Sequence, residues 1–272
     1  MMKAIPLALA ALAGLGAMPA SAEPKPYEPV TVSYDTTGAD DAELKTFIDN
    51  LRQGVNDNNI QLLKLSVGPD VQLYTPTIGF PEAGPIRAVP NPDKHPGDQR
   101  LDEAAILMTS SDSSYTREDL DGLVVDLFGT ALEPKTIGVS HTARGALCSP
   151  AEPIFDRDKA LAVADAADVP PGNLWILSAD TEFHEKPDAK SPVIATLPAN
   201  TIAPFVEGSV DGAASTDGGE EDGGADWYSV ALPSGKIGYA AEDTSLAFQA
   251  VSICYGKVDN QWAVTGIIVP TL

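Results

Sequence analysis

The sequence predicts an α+β protein: a mainly helical N-terminal domain, then a small β-barrel, then a C-terminal β-hairpin. Three observations carry this. Apolar residues recur at helical spacing in several segments between Asp40 and Leu132. After Pro170-Pro171-Gly172 the chain changes to short runs rich in Val, Ile, Thr and aromatics, separated by turn residues. Two longer runs of the same kind close the chain around Asp259-Asn260. The expected divisions are a signal peptide at 1–22, the helical domain at 23–150, a helix and linker at 151–172, the barrel at 173–247 and the hairpin at 248–272.

The first 22 residues read MMKAIPLALAALAGLGAMPASA. Lys3 supplies a positive start, Ala4 to Ala17 an apolar run, and Ala20-Ser21-Ala22 the small residues that signal peptidase reads. The run is shorter than the ~20 residues of a membrane span. No Cys follows the cleavage pattern, so nothing suggests a lipid anchor. Export to a periplasmic or secreted location is the expectation. An oxidising compartment then makes Cys148 and Cys254, the 2 cysteines of the chain, a disulfide pair. The alternative is two buried free thiols.

The leader Glu23 to Pro29 is Pro-rich and expected to be extended, and Val30 to Tyr34 reads as a short strand. Asp40-Asp41 cap a helix whose face is Leu44, Phe47, Ile48, Leu51 and Val55. Ile60 to Leu65 reads as a second helix ended by Gly68-Pro69, and Val71 to Tyr74 as a strand. Thr75 to Gln99 carries Pro76, Pro81, Pro85, Pro90, Pro92 and Pro96 and reads as an irregular excursion. Leu101 to Met108 and Arg117 to Leu132 are further helices, and Asp156 to Ala167 is one more. Strands are expected at 173–179, 193–197, 201–206, 227–232 and 236–240, then at 250–258 and 261–269.

Composition excludes whole classes of partner. Lys+Arg number 17 against Asp+Glu 39, a formal net charge of −22, and removal of Lys3 makes the mature chain one unit more acidic. A nucleic-acid binder needs a basic footprint, and so does electrostatic docking on anionic lipid. Hydrophobic residues are 43% of the chain, enough to build a core. With 2 Cys, both expected in a disulfide, and 3 scattered His, a structural zinc site made from those residues alone is not expected. Neither a metal nor a cofactor is expected.

The segment from about Trp175 to Leu246 resembles the bacterial SH3-like (SH3b) family. The residues that carry the resemblance are Glu185-Lys186-Pro187, Val193-Ile194-Ala195-Thr196-Leu197, Ala199-Asn200-Thr201, Trp227-Tyr228-Ser229-Val230 and Gly235-Lys236-Ile237-Gly238-Tyr239. Glu185 stands where that family commonly has Arg, Asn200 where it commonly has Gly, and an acidic insertion splits the middle. The flanks are similar to exported proteobacterial proteins that surround such a module with a helical N-terminal part and a final hairpin ending in a Gly-x-Trp-like strand. Gly256-Lys257 and Trp262-Ala263-Val264-Thr265 fit that ending. The resemblance implies an SH3-like barrel in a non-enzymatic protein and supplies no ligand.

The insertion, Glu207 to Asp226, holds Glu207, Asp211, Asp217, Glu220, Glu221, Asp222 and Asp226, with frequent Gly and almost no large apolar residue. Carboxylates among glycines suit Ca²⁺, but the D-x-[DN]-x-[DN]-G-x₅-E spacing is absent, so a solvated loop is the better reading.

Catalytic motifs are weak. Ser140-His141 with Cys148 is similar to the cluster of L,D-transpeptidases, but six residues separate His141 from Cys148 and no upstream His-Gly exists. A cysteine peptidase needs a Cys at a helix start with a downstream His. Here the downstream His184 falls in the barrel, and Leu147-Cys148-Ser149-Pro150 reads as a loop. Asp119 and Asp121 read as helix-start charges, and His95 as exposed. No catalytic residue is assigned.

A groove, if present, belongs on the barrel. Ligand-binding candidates are His184, Tyr228 and Phe183, while Trp227 and Tyr239 read as core. Trp227 and Tyr228, being adjacent on a strand, face opposite ways. The expected function is an exported, non-enzymatic binding or scaffolding protein for peptide, peptidoglycan or an envelope protein. The alternatives are an accessory factor or degenerate hydrolase of the cell wall, and a structural part of a secreted assembly.

Overall fold

A computed structural model describes residues 23–76, 88–91, 94–109, 114–206, 227–241, 245–247 and 250–270. The stretch 1–22 read from sequence as a signal peptide, the acidic stretch at 207–226 and part of the Pro-rich excursion lie outside the described residues. The described chain is mixed α/β, with five α-helices and several sheets, none closed into a barrel.

The first unit is a helical layer on a sheet. Helix α1 (Ala42–Asn56) begins where the Asp41 carboxylate accepts from Leu44 N–H at 2.9 Å. It buries Leu44, Ile48 and Leu51, as the 3–4 spacing requires. Helix α2 (Ile60–Leu65) is capped by Asn59. Helix α3 (Gly97–Leu107) starts four residues earlier than the apolar pattern alone suggested. Its first residue, Gly97, lies against the Gly68 carbonyl so closely that a Cβ would stand 2.3 Å from that oxygen. Helix α4 (Arg117–Leu132) opens with a capping box between Thr116 and Asp119.

These helices pack on one face of a six-stranded sheet, ordered β3-β2-β15-β14-β5-β4. Its strands are β2 (Val67–Tyr74), β3 (Ala88–Val89), β4 (Gly138–Ser140), β5 (Ala146–Ser149), β14 (Ser252–Val258) and β15 (Gln261–Ile268). The shared core joins Leu51, Leu101, Val124 and Phe128 to Ile253, Val264 and Ile267. The helices of the first half do not stand alone: the same half contributes four strands, and the C-terminal hairpin completes their sheet. Two local readings change with it. Gly68-Pro69 lies inside β2 rather than ending a helix, which already stops at Leu65. Leu147-Cys148-Ser149 is strand, not loop.

The hairpin turn is Asp259-Asn260, both at positive φ (49° and 64°), between the paired residues Val258 and Gln261. Two successive left-handed residues are what a tight hairpin demands, and Asp and Asn tolerate them without Gly. Strand β15 runs parallel to β2, whereas β14 is antiparallel to β5. That last pairing sets Cys254 opposite Cys148, and the two form a disulfide on the face away from the helices.

The second unit begins at β6 (Pro153–Ile154), which pairs with β1 (Ser33–Tyr34). Helix α5 (Arg157–Ala167) follows, capped by Asp156. Beyond a 3₁₀ turn at Pro171–Asn173 come β7 (Leu174–Leu177), β8 (Thr181–His184), β9 (Val193–Leu197), β10 (Ile202–Pro204), β11 (Trp227–Ala231), β12 (Ile237–Ala241) and β13 (Ser245–Ala247). They form two antiparallel sheets, β10-β7-β13 and β11-β12-β8-β9. Phe183, Val230 and Ala240 of one meet Leu177 and Ala203 of the other in a common core. On its outer face the first sheet packs Leu174, Ile176 and Ile202 against Ala160, Val163 and Ala164 of α5. The N-terminal leader is tied into this unit. Lys25 N–H donates to the Ala166 carbonyl, and the Tyr27 hydroxyl to that of Ala231 at 2.7 Å. Burial pushes the Tyr27 phenol above its ordinary pKa.

Candidate functional site

The three sequence candidates fall in different places. Phe183 is fully buried, in the core between the two small sheets, and is a packing residue rather than a surface for ligand. His184 and Tyr228 are half-buried, but on opposite sides of the four-stranded sheet. The register explains this. His184 pairs with Tyr239, Tyr239 with Ser229, and Trp227 shares the face of Ser229. Tyr228 shares the other face with Val230 and the buried Phe183.

On the outer side, the His184 ring meets Trp227 edge-on, with centroids 5.5 Å apart. Its Nδ1 lies 2.9 Å from the Ser191 carbonyl oxygen. A carbonyl only accepts, so Nδ1 carries the proton in that bond. Trp227 is buried, as expected of a core residue, whereas Tyr239 is only half-buried.

On the inner side, Tyr228 stands at the end of the two-sheet core, 5.8 Å from Phe205 in an edge-on contact. Phe205 in turn lies 4.8 Å from Trp175, tilted by 39°. The row Trp175–Phe205–Tyr228 thus spans both sheets, and all three rings are half-buried. The isolated bridge between Phe205 and Val230 holds the sheets together at this end. The sequence pattern singles out Tyr228 but not its neighbours Trp175 and Phe205, because a strand aromatic at a sheet end has the same local pattern as one in the centre. Half-buried aromatics offer flat apolar area at low entropy cost, with a polar edge on Trp and Tyr.

A second concavity lies where the sheet face bearing the disulfide meets the second unit. It is a cleft of about 90 Å³, lined by Tyr34, Phe155, Ile268 and several prolines. Glu152 faces it; its Oε2 accepts from the Ser140 hydroxyl at 2.5 Å and from Thr142 N–H at 3.0 Å. Ser140 is thereby engaged with a carboxylate and Cys148 with Cys254, so the Ser-His-Cys cluster contains no free thiol nucleophile.

Several titratable residues of the helical layer are held in caps and ion pairs. Asp119 holds the α4 capping box. Asp121 accepts from Lys64 at 2.7 Å and pairs with Arg117, which also forks onto Asp102. His95 contacts Glu103, which also takes a bond from the buried Arg100 at 2.5 Å. Burial of Glu103 works to raise its pKa, but the hydrogen bonds from His95 and Arg100 outweigh it and hold the carboxyl low.

Among the described residues no group of three or more His, Cys, Asp or Glu is placed to hold a metal, and no helix is long and apolar enough to cross a membrane. No protein family, curated protein or solved structure matches this chain.

Proposed function

We propose that this chain is an exported, non-enzymatic binding or scaffolding protein. Strands β7 to β13 are read as a bacterial SH3-like module, with Trp175, Phe205 and Tyr228 as its contact surface for peptide, peptidoglycan or an envelope protein. The aromatic row carries the reading: three adjacent half-buried rings at one end of a two-sheet core. His184, edge-on to Trp227, is kept as a second contact on the opposite side. The Cys148–Cys254 bridge is in keeping with an oxidising compartment outside the cytoplasm.

Sedimentation with purified sacculi tests the ligand class. Pelleting of the mature chain at low and physiological salt, lost in Tyr228→Ala, supports peptidoglycan. No pelleting at either salt removes peptidoglycan and leaves peptide or protein. Clearing of a peptidoglycan zymogram contradicts the non-enzymatic reading.

A further inference from the structure

We propose that the cleft beside the disulfide is a binding site for an organic ammonium group carried on an apolar stem, separate from the aromatic row. Glu152 is the sole charged side chain among the described residues that line it. Both hydrogen bonds that position Glu152 fall on Oε2, and no described group hydrogen-bonds Oε1. The cleft thus presents one carboxylate oxygen whose direction is fixed through its twin. The walls are largely apolar, with the hydroxyl-bearing Thr136, Ser140, Thr142 and Ser252 between the apolar residues. Pro134, Pro150, Pro153 and Pro270 line it with the rings of Tyr34 and Phe155. Its volume of about 90 Å³ is several times what one water needs, so it accepts a short chain of heavy atoms.

The chemistry selects among cations. A divalent metal wants six or more oxygens, several of them charged, and this cleft offers one carboxylate among neutral hydroxyls and apolar walls. A guanidinium binds best as a fork on both carboxylate oxygens, but Oε2 is already occupied. An ammonium is a compact charge that one oxygen can meet, while its stem covers the proline and aromatic walls. A free alkylamine and a lysine side chain share this chemistry.

The test titrates the mature, disulfide-bonded chain with n-butylammonium, with acetyl-lysine methylamide and with neutral n-butanol, followed by NMR shifts of Thr142 and Ala151. Both cations are expected to bind about tenfold or more tightly than n-butanol, the size of effect a charge-assisted hydrogen bond supplies. Glu152→Gln, which keeps the shape and an acceptor for Ser140, removes that preference. Thr142→Phe, which fills the cleft while leaving its backbone N–H, abolishes binding of all three. Thermal melts confirm that both variants are folded. Tighter binding of acetyl-lysine methylamide assigns a polypeptide lysine, and equal binding assigns a free amine. Equal affinity for cation and alcohol, or an unchanged preference in Glu152→Gln, overturns the proposal.

Discussion

Cys148 on β5 and Cys254 on β14 face each other across adjacent antiparallel strands, joining positions 106 apart in sequence. The bridge links the last hairpin to a sheet built largely by the first half. In the chain-entropy account, closing a loop of that length stabilises by about 4–5 kcal/mol. The double variant Cys148→Ala/Cys254→Ala is expected to lose a similar amount in urea unfolding. Reductant is expected to shift the midpoint of the native protein and leave that of the variant unmoved. Two alkylatable thiols in the native protein would refute the pairing.

Two glycines are expected to respond in opposite directions. Gly97 abuts the Gly68 carbonyl, and backbone cannot move aside as a flexible side chain would. Gly97→Ala is expected to cost about 1–3 kcal/mol, the range for overpacking. Gly122 lies in the interior of α4 with nothing within 4 Å of an added Cβ. Gly122→Ala is expected to gain about 0.5–1 kcal/mol through lower unfolded-state entropy. Paired urea titrations check both.

The hairpin turn gives a finer test. Asn260 sits at φ 64°, where Gly is free of strain and a Cβ is penalised. Asn260→Gly is expected to hold or raise the melting temperature, while Asn260→Ala is expected to lose about 1 kcal/mol. A milder Ala than Gly variant would contradict the left-handed assignment.

Acid should weaken the helical layer. Asp121 is held below the ordinary carboxylate range first by its hydrogen bond from Lys64, Asp119 by Thr116, and Asp41 by Leu44 N–H. A carboxyl with a lower pKa folded than unfolded adds stability that is full above the unfolded value near 4. That stability is lost as pH falls through the folded value. Urea midpoints are therefore expected to hold from pH 7 to about pH 5 and fall below about pH 4. Asp121→Asn should lower the midpoint at pH 7 and make little difference at pH 2.

Much of this architecture was readable because it is local. The apolar spacing of Leu44, Ile48 and Leu51 marks α1, and the hairpin ends and the cysteine pair also stand out in sequence. What escaped reading is non-local. Gly68-Pro69 looks like a helix stop, and only pairing with β15 makes it strand. The parallel β2–β15 contact joins the two ends of the chain and leaves no local signature. Phe183 and Tyr228 are both strand aromatics, and only the packing of two sheets decides that one is core and the other stands at the edge. Glu152 was not distinguishable at all, because its positioning comes from the turn after Ser140.

The central claim is that the aromatic row is where this protein meets its partner. The most direct measurement is photo-crosslinking in the native envelope, with a benzoylphenylalanine at position 228 or, as control, at Leu65, an exposed residue of α2. The account expects a discrete adduct from position 228 that is absent from position 65 and is lost when Trp175 is also changed to Ala. No adduct from position 228, or the same adducts from both positions, would contradict it.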